Sequence, residues 1–171
     1  MTIKEIQNEI VDEFSMFDDW MQRYEYIIEL GKSLPLIDEQ YKIDENIIKG
    51  CQSKVWVHGE EQDGKIVFTA DSDAILTKGI IAILIRAFSN QSAKDILDAN
   101  TDFIDEIGLK EHLSATRANG LVSMIKNMLE DPRMAAEFDK LIAAGLIPSA
   151  PSDEPQTAPV ATAQAAPRKK K

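Results

Sequence analysis

The chain has 171 residues, 44% of them hydrophobic, and carries a formal charge of −10 at pH 7 with a single cysteine. That length supports one substantial core, and the lone cysteine excludes an internal disulfide framework. Residues 1–129 hold 23 acidic and 13 basic groups while 130–171 hold six of each, so the acidity belongs to the part that reads as folded and argues against nucleic acid as a partner, which needs a basic face.

Thr2 with Glu5 makes a capping-box pattern, and Ile3, Ile6, Ile10 and Phe14 recur at helical spacing, which predicts an N-terminal helix. A second helix is expected from about Asp18 to Leu30, with Trp20, Tyr24, Ile27 and Ile28 on one side and Gly31 as its stop. Both helices are expected to cover a sheet. Leu34-Pro35-Leu36 breaks helix, and Asp38 to Gly50 reads as irregular chain. Lys54–His58 and Lys65–Ala70 are rich in β-branched and aromatic residues and read as a hairpin joined by Gly59–Gly64.

Asp71-Ser72-Asp73 is an N-cap pattern for Ala74–Phe88, whose apolar residues go most of the way round and predict the central core helix. Its longest apolar run, 79–88, is too short to span a bilayer and contains Arg86. No membrane segment is expected, and the opening residues lack the apolar run of a secretory signal, so a cytoplasmic location is expected. A short helix is expected from Ser92 to Leu97, a mixed segment from Phe103 to His112, and a longer helix over Ser114–Leu129. Pro132–Ala144 predicts an additional helix within 130–147, and the Pro/Ala-rich residues 148–171 a disordered tail.

Cys51 sits between Gly50 and the polar pair Gln52-Ser53, where a loop turns into a strand. That context fits a presented thiol; the competing reading of the same pattern is a small buried hydrophobe. Lys49 and Lys54 flank it and would favour the thiolate. A Cys/His hydrolase would need His58, expected to point into solvent, or His112, whose amphipathic setting fits a surface or cap role. One cysteine and two scattered histidines do not make a zinc or iron–sulfur site, so no metal is expected. Asp71 and Asp73 read either as a carboxylate pair or as caps. Lys78 lies in a very apolar helix and Arg117 in the first turn of another, an unfavourable end of the dipole for a cation, so each is functional or a snorkelling surface residue.

The runs Arg23–Lys32, Gly50-Cys51-Gln52-Ser53-Lys54-Val55-Trp56-Val57, Asp71-Ser72-Asp73-Ala74 with Lys78-Gly79, and Thr116-Arg117-Ala118-Asn119-Gly120-Leu121 resemble, in order and spacing, the SufE family of sulfur acceptor proteins over about residues 3–129. The resemblance implies an α+β fold, a small antiparallel sheet backed by helices and akin to IscU-type scaffolds. It implies that Cys51 accepts persulfide sulfur from a SufS-like cysteine desulfurase, stimulates that enzyme and delivers sulfur to a Suf scaffold complex for iron–sulfur cluster assembly. Arg117, Asp73 and Lys78 fall at family positions and are assigned supporting roles. No cofactor is implied for this chain, since the pyridoxal phosphate belongs to the desulfurase. The activity implied is that of a sulfurtransferase-type persulfide carrier rather than a stand-alone enzyme; the alternative is an adaptor that regulates the desulfurase by binding.

Overall fold

The computed structural model describes residues 1–131 and Ala143. Its sheet is the predicted hairpin, lengthened. β1 (Val55–Gln62) pairs antiparallel with β2 (Lys65–Ser72), from Val55 opposite Ser72 to Gln62 opposite Lys65. Asp63 and Gly64 join them with φ of 53° and 81°, the positive pair whose twist suits a two-residue hairpin turn. Gly59–Gln62, expected in the connection, are therefore paired strand. Alternation along the pleat buries Val55, Val57, Ile66, Phe68 and Ala70.

α3 (Ile75–Phe88) packs on β2 and is buried nearly all the way round, which makes it the core helix its composition predicts. α1 (Ile3–Ser15) starts with both bonds of the capping box, Thr2 N–H to Glu5 at 2.8 Å and Glu5 N–H to Thr2 at 3.1 Å, and buries Ile3, Ile10 and Phe14. α2 (Trp20–Gly31) starts where Asp19 accepts from the Gln22 N–H. Contrary to expectation, α2 packs chiefly on α3, and α1 on α3 and the later helix Asp102–Glu106 alike, rather than covering the sheet.

Gly31, expected as the stop after Leu30, is the last residue of α2, with Lys32 as the cap residue, and it is buried where α2 and α3 touch backbone to backbone. A Cβ on Gly79 would stand 2.7 Å from Ile27 Cγ2 and 2.8 Å from the Ile27 carbonyl carbon, and one on Gly31 2.9 Å from the Gly79 nitrogen. The other tie across this layer is ionic. Arg86 on α3 holds the Glu13 carboxylate on α1 through two nitrogens at 2.7 and 2.6 Å, and the Tyr26 hydroxyl donates to the same carboxylate.

Two single 3-10 turns, Glu39–Tyr41 and Asp44–Asn46, occupy the segment expected to be irregular. α4 (Ala93–Asp98), α5 (Asp102–Glu106), a 3-10 turn at Lys110–His112 and α6 (Ala115–Leu129) complete the described chain. Ser92 and Ser114 cap α4 and α6 through their hydroxyls. The fold class is α+β, as expected. Apart from Glu130, Asp131 and Ala143, the extra helix expected within 130–147 and the tail expected over 148–171 lie outside the described residues. Among the described residues no helix is long and apolar enough to cross a membrane.

Candidate functional site: the cysteine loop

Residues 49–53 form a tongue whose base is pinned on both sides. The Ile48 N–H donates to the Val55 carbonyl at 2.8 Å and closes the loop on itself. On the far side Lys54 is held by the end of the hairpin: its N–H donates to Asp73 Oδ1 (3.1 Å), and its carbonyl accepts from the Asp73 N–H (3.2 Å) and the Ser72 hydroxyl (2.8 Å). Asp71-Ser72-Asp73 is therefore not the cap of α3. Pairing of Ser72 with Val55 carries β2 through Ser72, the cap position falls to Ala74 without a side-chain bond, and Ser72 and Asp73 are spent on the loop.

The tip of the tongue lies on α6. Gly50 has φ 96°, in the left-handed region that favours glycine, and a Cβ there would overlap the Ser123 hydroxyl and stand 3.2 Å from Ser123 Cβ. The Cys51 thiol donates to the Gly120 carbonyl, with sulfur and oxygen 3.6 Å apart. Gly120 has no side chain to hold the sulfur off: a Cβ on it would sit 3.4 Å from Cys51 Sγ. The Cys51 neighbourhood is a tight, nearly filled depression lined by Gln52, Ser53, Thr77, Ile80, Thr116, Arg117 and Met124. Cys51 is half-buried and packed against the edge of the core.

Burial pushes the Cys51 thiol above its ordinary pKa and is the whole cause of the shift. Lys49 and Lys54, expected to favour the thiolate, are both exposed and do not lower it. In this position the sulfur is a neutral thiol at pH 7, not an activated nucleophile.

Of the other predicted residues, the structure brings only Arg117 into the same depression as Cys51. Its backbone N–H binds the Ser114 cap hydroxyl at 3.2 Å, and its guanidinium has no hydrogen-bond or ion-pair partner among the described residues. No bond joins Arg117 to Asp73 among the described residues; Asp73 anchors the loop through Lys54. Lys78 pairs with Asp71 Oδ1 at 3.5 Å, and Asp71 also binds Lys42 at 2.8 Å. Lys78 thus braces the last residues of β2 and does not line the Cys51 depression.

Neither histidine approaches the thiol's lining. His58, expected in solvent, stacks on Tyr41 with ring centroids 3.8 Å apart, and His112 stacks on Trp20 at 4.1 Å while its Nδ1 lies 2.9 Å from the Gly108 carbonyl. Among the described residues no group of three or more His, Cys, Asp or Glu side chains is placed to hold a metal ion. Ser123, Gly120 and Thr77 are neighbours of the loop that sequence reasoning did not single out for a role; a serine or threonine inside an amphipathic helix gives no signal until its partner loop is known.

The fold and this loop define a class: a small α+β domain with one partly sheltered cysteine on a tongue between helix and hairpin. The chain belongs to the SufE family, whose model, described as a Fe-S metabolism associated domain, matches residues 8–131. It is 42% identical over 127 residues to an uncharacterized SufE-like protein of Rhizobium meliloti, covering 71% of this chain and 90% of that one. It is 39% identical over 121 residues to the chloroplastic/mitochondrial SufE-like protein 1 of Arabidopsis thaliana, covering 70% of this chain and 33% of that protein. A solution structure of a hypothetical protein from Thermus thermophilus shares the fold, with a TM-score of 0.64 at 16% identity over 78% of this chain and 96% of that one.

Proposed function

We propose that Cys51 is a persulfide acceptor, which takes a sulfur atom from a SufS-like cysteine desulfurase, stimulates that enzyme by clearing its product, and passes the sulfur to a Suf scaffold complex in the cytoplasm. The observation that carries this reading is the placement of the lone thiol. It lies half-buried at the tip of a tongue pinned firmly at its base and only weakly at its tip, with the unpaired Arg117 beside it. A catalytic thiol that worked where it stood would need a neighbouring base or a lowered pKa; Cys51 has neither, which suits a group that reacts elsewhere and is stored here.

The tongue swings out on docking, Cys51 leaves its burial and regains an ordinary thiol pKa of about 8.5, and its proton is lost to solvent. The thiolate attacks the outer sulfur of the donor's Cys–S–SH. A bond forms between Cys51 Sγ and that sulfur, the donor's S–S bond breaks, and the donor leaves as a thiolate, so no net oxidant or reductant is consumed. When the tongue returns, the new persulfide sits against Gly120 and Arg117, away from cellular reductants. Arg117 holds the anionic sulfur there; Asp73 and Lys78 are positioning residues that keep the hairpin end, and so the loop base, in register. The pyridoxal phosphate needed to make the donor persulfide belongs to the desulfurase.

Intact-protein mass spectrometry after incubation with the desulfurase, pyridoxal phosphate and cysteine tests this. One sulfur atom gained on Cys51 and removed by reductant is expected, with loss of both sulfur gain and desulfurase stimulation in Cys51→Ser. Stimulation that survives Cys51→Ser would overturn the carrier reading in favour of an adaptor that acts by binding.

A further inference from the structure

We infer that the open edge of β2 forms a second binding site, for neutral, largely apolar small molecules that carry one hydrogen-bond donor. β2 pairs with β1 along one side, and its other side is covered only at the ends. Near one end the Ala70 N–H donates to the Pro35 carbonyl and its carbonyl accepts from Ile37, both at 3.0 Å; near the other the Ile66 N–H donates to Gln91 (2.9 Å) and its carbonyl accepts from Asn90 (2.7 Å). Phe68 lies between them. Its N–H is met by the Ser89 hydroxyl at 2.8 Å. Its carbonyl faces the same side of the strand, since N–H and C=O of one strand residue point the same way, and has no donor among the described residues. The gap between the two covered ends is an open cavity of about 350 Å³, walled by Ile10, Leu30, Leu34, Phe68, Ala82 and Ile83.

Close-packed interiors do not leave space of that size by default, and ligand sites of small molecules start at roughly this volume. The walls select an apolar body. The Phe68 carbonyl, an acceptor without a partner, selects one donor. The cavity offers no free charge to an anion: Arg86, its one charged lining residue, is already answered by Glu13 at 2.6 Å and by Glu9 at 3.4 Å. None of the residues that line this cavity lines the Cys51 depression, so the site is separate from sulfur acceptance.

Two fluorescent probes on one skeleton test the inference on the full chain. N-phenyl-1-naphthylamine is neutral with a single N–H donor; 8-anilino-1-naphthalenesulfonate adds a sulfonate. The neutral probe is expected to bind saturably at one site, with enhanced, blue-shifted emission, and the sulfonate at least tenfold more weakly. Ala82→Leu, which fills the cavity from α3, and Ser33→Trp, which blocks it from an exposed rim position, are each expected to weaken the neutral probe at least tenfold, while Cys51 alkylates at the wild-type rate. Ser33→Trp decides the matter if Ala82→Leu does not fold. Absence of saturable binding, equal binding of the two probes, or wild-type binding by Ser33→Trp would overturn the inference.

Discussion

Replacing Gly50 by alanine probes what holds the cysteine loop in place. Gly50 has φ 96°, and a side chain there meets Ser123 of α6. A left-handed backbone costs an L-residue roughly 1–2 kcal/mol, and contact with the Ser123 hydroxyl adds to it. The alanine loses that energy only when the tongue is docked, so the docked-to-undocked ratio falls by about 5- to 30-fold, at about 1.4 kcal/mol per factor of ten. While the docked state stays in the majority, the undocked fraction rises by the same factor. Cys51 is the chain's lone cysteine, so its rate of alkylation by iodoacetamide reads that fraction directly, and an acceleration at pH 7.5 of at least about 5- to 30-fold, the backbone share alone, is expected. Ser123→Gly added to Gly50→Ala removes the overlap but not the backbone cost, and brings the rate only part of the way back. The pH profile supplies a second readout. Burial raises the docked thiol's pKa, so docking is at full strength below the free-thiol value of about 8.5 and weakens as pH rises from there through the docked value. The apparent alkylation pKa of wild type therefore lies above that of Gly50→Ala, which moves toward the free-thiol value. Alkylation of Gly50→Ala at the wild-type rate with an unmoved pH midpoint would refute the docked-tongue argument.

Arg117→Ala is expected to leave the melting temperature within a degree or two, since its guanidinium pairs with nothing among the described residues. It should shorten the lifetime of the Cys51 persulfide under reductant severalfold; an unchanged lifetime removes Arg117 from the site. Glu13→Gln breaks the two-nitrogen contact with Arg86, a half-buried pair worth about 1–2 kcal/mol. Because Arg86 holds the Glu13 carboxyl below its usual range, that stability is present above the unfolded carboxyl value near 4.3 and is lost as pH falls through the lowered folded value. Acid titration of the melting temperature should therefore be shallower in Glu13→Gln than in wild type. Gly79→Ala forces a methyl against the Ile27 backbone and should destabilise by about 3 kcal/mol or more. Gly64→Ala meets nothing within 4 Å at φ 81° and should cost only about 1 kcal/mol, a contrast that chemical denaturation measures directly.

Local signals in the sequence carried the helices, because capping residues and the apolar period are contained in each segment: Thr2 with Glu5 caps as predicted, and Ser92 and Ser114, where two further helices were expected to start, turn out to be their caps. What failed locally was decided by a partner outside the segment itself. Gly59-Glu60-Glu61-Gln62 has little strand propensity and is strand only because Phe68, Val67, Ile66 and Lys65 lie opposite. Gly31 reads as a helix stop and does end α2, but its burial against Gly79, 48 positions on, has no local signal. Asp71-Ser72-Asp73 has the composition of a cap, and only the pairing of Ser72 with Val55 reassigns it to the loop. The candidate site divides the same way. Cys51 was legible from its glycine and polar neighbours, and Arg117 from its place in the first turn of a helix, although only the family resemblance tied it to Cys51. The docking partners Gly120 and Ser123 sit on α6, some 70 residues away; Gly120 lies in a run that carries the family resemblance but nothing there ties it to Cys51, and Ser123 carries no mark.

Burial that raises the Cys51 pKa would be a defect in an enzyme and is an advantage in a carrier. Held against Gly120, the thiol is mostly neutral, so adventitious oxidants and electrophiles meet a poor nucleophile. On the proposed relay the donor need not supply a base to Cys51. Drawing the tongue away from α6 returns the sulfur to water and to an ordinary thiol pKa, so recognition by the desulfurase and activation of the nucleophile become one step. The two hinges of that step differ in kind. The base is held by four hydrogen bonds, the Ile48–Val55 bond and the three that Asp73 and Ser72 make with Lys54. The tip is held by one weak thiol contact and the fit of Gly50 to Ser123. Motion at the tip with a fixed base moves the sulfur without unfolding the hairpin, which is why the glycine at position 50 rather than the hydrogen bonds at its base should set the rate of delivery.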